Sequence, residues 1–105
     1  MTPALLGRAV TVLRGMAYEH RLHILILLRE GERTAGELAA EVPTDPTAVA
    51  HHLRCLLDAR LVRRQRRGRN VFYFLPDEAT RHLISEVLRH AGRADPPPPR
   101  PPAGR

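Results

Sequence analysis

The sequence has no lysine, no tryptophan and a single cysteine, and its aromatics amount to two tyrosines and two phenylalanines. Each shortage excludes something. One cysteine, Cys55, leaves no internal disulfide framework, so packing must hold the fold and a reducing cytoplasm suits the chain. Few aromatics in 105 residues imply one small aliphatic core. Such a core is marginal alone and gains from being shared with a second copy. No apolar run approaches the roughly 20 residues that span a bilayer, and the N-terminus lacks a signal-peptide layout. The expectation is a soluble, cytoplasmic protein with no membrane partner. Catalytic chemistry is also missing: there is no Ser/His/Asp set, no Gly-rich phosphate loop and no pair of catalytic carboxylates. The chain is not expected to be an enzyme.

Arginine is what the chain has in quantity. All 17 Lys+Arg residues are arginine, against 11 Asp+Glu, for a net charge of +6. That balance favours polyanionic partners, nucleic acid above all.

Periodicity divides the chain into elements. Leu5, Leu6, Ala9, Val10, Val12 and Leu13 recur at helical spacing over residues 4–15, with Gly7 a weak point. Leu22, Ile24, Leu25, Ile26, Leu27 and Leu28 leave the next helix almost no polar face, so it is expected to be central, and Gly31 to end it in a left-handed stop. Thr34-Ala35-Gly36-Glu37 is a capping-box pattern that opens a short helix over about 35–42, closed by Pro43. Asp45-Pro46 restarts a helix, with Asp as N-cap and Pro at the first position, running to about Ala59 with Val49, Leu53, Leu56 and Leu57 inward. Two helices about three residues apart are spaced as a helix-turn-helix. Leu61-Val62 and Val71–Leu75 read as the strands of a hairpin with Arg67-Gly68-Arg69-Asn70 at its tip. Asp77 caps a last helix to about Ala91, with Leu83, Ile84, Val87, Leu88 and Ala91 as its stripe. The order α-α-α-α-β-β-α, mainly helical with one basic hairpin, is that of a winged helix-turn-helix. Residues 1–92 form the expected DNA-binding and dimerisation domain. Residues 93–105 form a Pro-rich tail that cannot pack and is expected to be extended or disordered.

A recognition helix reads base edges with short polar side chains near its N-terminus. Here the candidates are Thr47, Ala48, His51, His52 and Arg54, with helix-terminal N–H groups near a phosphate. Arg66, Arg67 and Arg69 of the hairpin are candidates for the adjacent backbone or minor groove, and arginine forks onto phosphate strongly. Adjacent histidines stand roughly 100° apart on a helix, so His51 and His52 do not readily chelate one ion.

These residues carry a resemblance. Val49-Ala50-His51-His52-Leu53-Arg54-Cys55-Leu56, then Arg60-Leu61-Val62, resembles the Val-Ser-His-His-Leu-x-x-Leu string ending in Gly-Leu-Val of the ArsR/SmtB family of bacterial winged-helix repressors. Arg66 to Leu75 resembles that family's Arg-x-Gly-Arg-x-Val-Tyr-Tyr-x-Leu, and His20-Arg21-Leu22-His23-Ile24-Leu25 its Thr-Arg-Leu-x-Ile-Leu. The match spans about residues 5–91. It implies a homodimer, with the first and last helices as interface, that represses transcription from a palindromic double-stranded operator. Pro46 and Ala50 stand where family members often carry polar residues, which leaves direct readout to Thr47 and His51. Arg60 replaces a helix-ending glycine and is expected to be strained.

The resemblance also bears on the effector. One family metal site uses a Cys-x-Cys at positions filled here by Thr34-Ala35-Gly36, so soft-metal chemistry is absent. A second uses the last helix across the dimer. Asp77 and His90 match two of its ligands, while Ala79 and Arg93 replace the others. Along the same helix His82, Glu86 and His90 fall at i, i+4 and i+8, a nitrogen and carboxylate set suited to nickel, zinc or cobalt. His20 and His23 stand near enough in sequence to join such a site. Each of these residues also has a plain reading, Asp77 as an N-cap and the others as solvated or core groups. Cys55 reads as a small buried hydrophobe, with a redox switch as the sharper alternative. Two further readings stay open: a DNA-binding subunit whose effector is sensed by a partner co-regulator, contacted through the Pro-rich tail, and a winged-helix protein-interaction module.

Overall fold

The computed structural model describes residues 1–93, so the expected Pro-rich tail lies outside the described residues apart from Arg93. The elements are α1 (Pro3–Met16), α2 (Glu19–Glu30), β1 (Arg33–Thr34), α3 (Ala35–Glu41), α4 (Pro46–Asp58), β2 (Arg63–Arg67), β3 (Asn70–Phe74) and α5 (Glu78–Gly92). The strands form one antiparallel sheet in the order β1-β3-β2. This is the expected winged helix-turn-helix, with three corrections.

The first is β1. Its two residues pair Arg33 with Tyr73 and Thr34 with Phe72. A two-residue strand has no periodicity to read, and its partner lies far along the chain. The second is the hairpin's first strand, which runs over Arg63–Arg67 and not Leu61-Val62. Leu61 and Val62 are buried in the core ahead of it. The strand itself is arginine and glutamine, exposed throughout, so no apolar alternation marks it. The third is Gly31, whose φ of 156° and ψ of 166° lie in a positive-φ region open to glycine, but not in the left-handed helical stop expected.

Core and caps otherwise follow the sequence. Ile24, Leu25, Leu27 and Leu28 of α2 are buried against Leu38, Val42, Val49, Leu53, Leu56 and Ile84. Thr34 and Glu37 close the capping box of α3 reciprocally. Asp45 accepts from the Ala48 N–H at the start of α4, and Asp77 from the Thr80 N–H at the start of α5. The hairpin turns through Gly68-Arg69, with Gly68 at φ 61°. Glycine at the first central position is the residue a two-residue turn of this hand requires. Among the described residues no helix is long and apolar enough to cross a membrane.

At the end of α4 the chain reverses through Arg60, the one non-glycine residue with positive φ, at 62°, among those described. The Arg60 N–H donates to the Leu57 carbonyl and the Leu61 N–H to the Leu56 carbonyl, both at 3.0 Å. That is a Schellman closure, with the apolar pair Leu56 and Leu61 beneath it. An L side chain in this conformation costs about 1 kcal/mol. Arg60→Gly is therefore expected to stabilise the fold by about that amount. Urea unfolding checks it, and an unchanged or lower midpoint would show that the Arg60 side chain offsets its own strain.

Helix α1 reaches the body only at its C-terminal end. Gly15 meets the end of α4 so closely that a Cβ there would lie 2.9 Å from the Ala59 Cβ and 3.0 Å from the Leu61 Cδ1. Residues 1–11 are exposed, yet Leu5, Leu6 and Val10 lie among them, with Leu13 beyond. Leu6, Val10 and Leu13 share one side of the helix, away from Val12 and Gly15, while Leu5 lies one turn and more beyond Val12 in the same row.

Candidate nucleic-acid interface

The helix-turn-helix is α3, the segment 42–45 and α4. Leu38, Val42, Val49, Leu53 and Leu56 fix the two helices against α2, which sets the outward face of α4. That face carries Thr47, Ala50, His51 and Arg54, all exposed, at i, i+3, i+4 and i+7. Three of the expected contact residues, Thr47, His51 and Arg54, thus form one stripe. Ala48 is half-buried on the shoulder. The N-terminal N–H groups are fewer than expected for holding a phosphate: Pro46 has none, Ala48 donates to the Asp45 carboxylate and Val49 to the Asp45 carbonyl.

His52 turns away from this stripe. It is half-buried between α4 and α2, where the Arg21 Nε donates to its Nδ1 at 3.2 Å. Arg21 also stacks 4.3 Å over the Tyr18 ring. The ring centroids of His20 and His51 each lie 5.9 Å from that of His52. An acceptor at Nδ1 requires the neutral imidazole, and partial burial, followed by the charges of Arg21, His20 and His51, holds the pKa of His52 below the usual histidine value. His52 thus ties the recognition helix to α2.

The sign of its pH effect follows. A base whose folded pKa is depressed below its unfolded pKa binds fewer protons when folded. Its contribution to stability is complete above the unfolded pKa, near 6.5, and is lost as pH falls from there through the folded pKa. Thermal melts between pH 7.5 and pH 5 are expected to show a fall in Tm that His52→Gln, which keeps an acceptor without a titration, makes smaller. Parallel curves for the two proteins would remove His52 from the account.

The wing separates its arginines. Arg64 and Arg66 lie on one face of β2, while Arg63, Gln65 and Arg67 lie on the other. Among the described residues Arg63, Arg64 and Arg69 have no carboxylate partner, and the Arg66 Nε reaches only the Gly68 carbonyl at 3.3 Å. Arg67 differs. Its Nη1 donates to Glu32 Oε1 at 3.1 Å, its Nη2 to Glu32 Oε2, and its Nε to Gln65 Oε1 at 3.3 Å, with the guanidinium 4.6 Å over the Phe72 ring. These contacts hold the Glu32 carboxyl below the usual carboxylate range and raise Arg67 further. Arg63 and Arg64 join the wing beyond the three arginines expected, because the strand begins two residues later than Leu61-Val62. No local pattern marks Glu32, which reaches Arg67 from 35 residues away.

The metal-ligand candidates on α5 do not meet within one chain. Asp77 accepts from both the N–H and the hydroxyl of Thr80 at 2.8 Å, and these bonds depress its pKa. Glu86 pairs with Arg89. His82 and His90 are exposed and about 12 Å apart along the helix. Among the described residues no group of three or more His, Cys, Asp or Glu side chains could hold an ion. Cys55 is half-buried, with its Sγ 3.7 Å from the exposed His51 Nε2.

Comparison with known proteins gives consistent results. Residues 19–64 match the family model described as bacterial regulatory protein, arsR family. The HTH-type transcriptional regulator KmtR of Mycobacterium tuberculosis is 37% identical over 87% of this chain and 70% of its own length. The HTH-type transcriptional repressor SmtB of the same species is 34% identical over 84% of this chain. The chain spans 65% of that repressor's length. Among solved structures, the homodimeric winged helix-turn-helix DNA-binding domain of Mb0332 from Mycobacterium bovis superposes with a TM-score of 0.83. It is 29% identical, and the match covers 89% of this chain and 86% of that one.

Proposed function

This chain belongs to the ArsR/SmtB family of transcriptional regulators, and we propose that it is a homodimeric repressor that binds a palindromic double-stranded DNA operator. The observation that carries the reading is the coincidence, on a winged helix-turn-helix, of the exposed stripe Thr47, His51 and Arg54 with a wing bearing Arg63, Arg64, Arg66 and Arg69 without acidic partners. The stripe offers hydrogen-bonding groups to base edges, and the wing offers charge to phosphate. The exposed apolar side of α1 supplies a surface for a second copy, and two recognition helices one turn of DNA apart suit a two-fold operator. His52 acts from behind, holding α4 to α2.

A transition-metal effector such as nickel or zinc is the finer part of the proposal. The ligands would be Asp77, His82, Glu86 and His90. Within one chain these residues do not make a site, so a metal reading needs both protomers to contribute. The alternative effector route is a partner co-regulator.

The test is fluorescence anisotropy of the full chain on its own upstream DNA, against scrambled DNA of equal length, first with chelator and then with nickel or zinc. Selective binding that shifts with metal supports both parts. Selective binding indifferent to metal keeps the repressor and moves the signal to another effector. Equal weak binding to both duplexes overturns the repressor and favours a protein-interaction module.

A further inference from the structure

The wing carries five arginines between Arg63 and Arg69, and four of them face solvent without an acidic partner. The fifth, Arg67, has every guanidinium nitrogen engaged by the protein. Glu32 accepts from Nη1 and Nη2, Gln65 accepts from Nε, and Phe72 underlies the plane. The register shows where this takes the side chain. Arg67 pairs with Asn70 beside the tip, yet it stacks on Phe72, whose partner Gln65 lies two residues nearer the body. Arg67 therefore folds back from the tip, along the sheet face and toward the connection between α2 and β1. Glu32 occupies that connection, one residue before β1.

Resting on the DNA-binding reading above, we infer that Glu32 is a positioning residue that withholds Arg67 from the DNA backbone, acting as an internal stand-in for a phosphate. Carboxylate and phosphate offer the same fork to guanidinium. The pair is exposed on both sides, with side chains 47% and 40% accessible. Solvent and salt weaken such a pair, so exchange of partner is cheap. Glu32 limits binding by occupying Arg67, whose charge it offsets. The consequence is a lower affinity for every sequence. The carboxylate thus sets the overall affinity and its salt dependence, and leaves the preference between sequences to base contacts by Thr47 and His51.

The experiment measures anisotropy on the upstream duplex and on scrambled DNA across a salt series. Glu32→Gln is expected to bind both duplexes about fivefold to tenfold tighter at 0.1 M salt, with a log–log salt slope steeper by about 0.9, the value of one added phosphate contact. Arg67→Gln alone is expected to bind as the parent does, and the double variant Glu32→Gln/Arg67→Gln to lose the gain. Glu32→Asp, which restores the carboxylate, returns binding toward the parent. Glu30→Gln removes a neighbouring charge that pairs with Arg33 instead, and should leave the slope unchanged. Weaker binding by Glu32→Gln, an unchanged slope, or a gain that survives in the double variant overturns the inference. The readout holds on scrambled DNA as well, so failure of operator selectivity and failure of this role are separate results.

Discussion

Replacing Leu6 and Leu13 with glutamate is expected to turn a dimer into single chains and to lower operator affinity about a hundredfold or more. Leu5, Leu6, Val10 and Leu13 are 46%, 54%, 37% and 63% exposed along α1, with Leu6, Val10 and Leu13 on one side. Covering the half of each side chain still in water is worth about 1 kcal/mol apiece, and a symmetric contact counts each residue twice. Placing charge there removes that gain and adds repulsion between like residues across the axis. A single winged helix then meets one half-site and loses the effective concentration that the second half provides. Because the four residues are exposed within one chain, and glutamate is a good helix former, the fold itself should be unchanged. Sedimentation equilibrium reports the mass, anisotropy the affinity, and far-UV circular dichroism the fold. A double variant that sediments at twice the chain mass would place the interface elsewhere.

The second large effect separates the wing from the recognition helix. Arg66→Gln with Arg69→Gln is expected to weaken binding to operator and scrambled DNA alike, and to flatten the salt slope by about 1.8, the loss of two phosphate contacts. Thr47→Ala and His51→Ala act differently. Each is expected to remove about 1–3 kcal/mol of discrimination between operator and scrambled DNA while leaving the scrambled affinity nearly unchanged. Arg67→Gln, by contrast, should do little, because Glu32 already holds that side chain. Slope and selectivity together read the two surfaces apart. Wing substitutions that erode selectivity first, or helix substitutions that weaken both duplexes equally, would reverse the roles given to them.

Several features were legible because they are local. The capping box at Thr34 and Glu37, the Asp45-Pro46 start of α4, the Asp77 cap of α5 and the turn at Gly68-Arg69 depend on residues three or four apart. The strain at Arg60 followed from the family resemblance, which places a helix-ending glycine at that position. The errors were of two kinds. Leu61 and Val62 resemble a strand but serve as the Schellman contact and as core, and β2 has no apolar residue to announce it. β1 exists only through its pairing with β3.

The sequence alone determined the order of helices, the helix-turn-helix spacing, the basic hairpin and the family, because periodicity, caps and motif strings are written in neighbouring residues. Only the tertiary structure decided which side chains are free to act. It drew His52 of the histidine pair inward to Arg21 and left His51 outward, because α4 packs on α2 with that one side. It took Arg67 out of an otherwise open wing, because its partner Glu32 lies 35 residues away along the chain and meets it only when β1 joins the sheet.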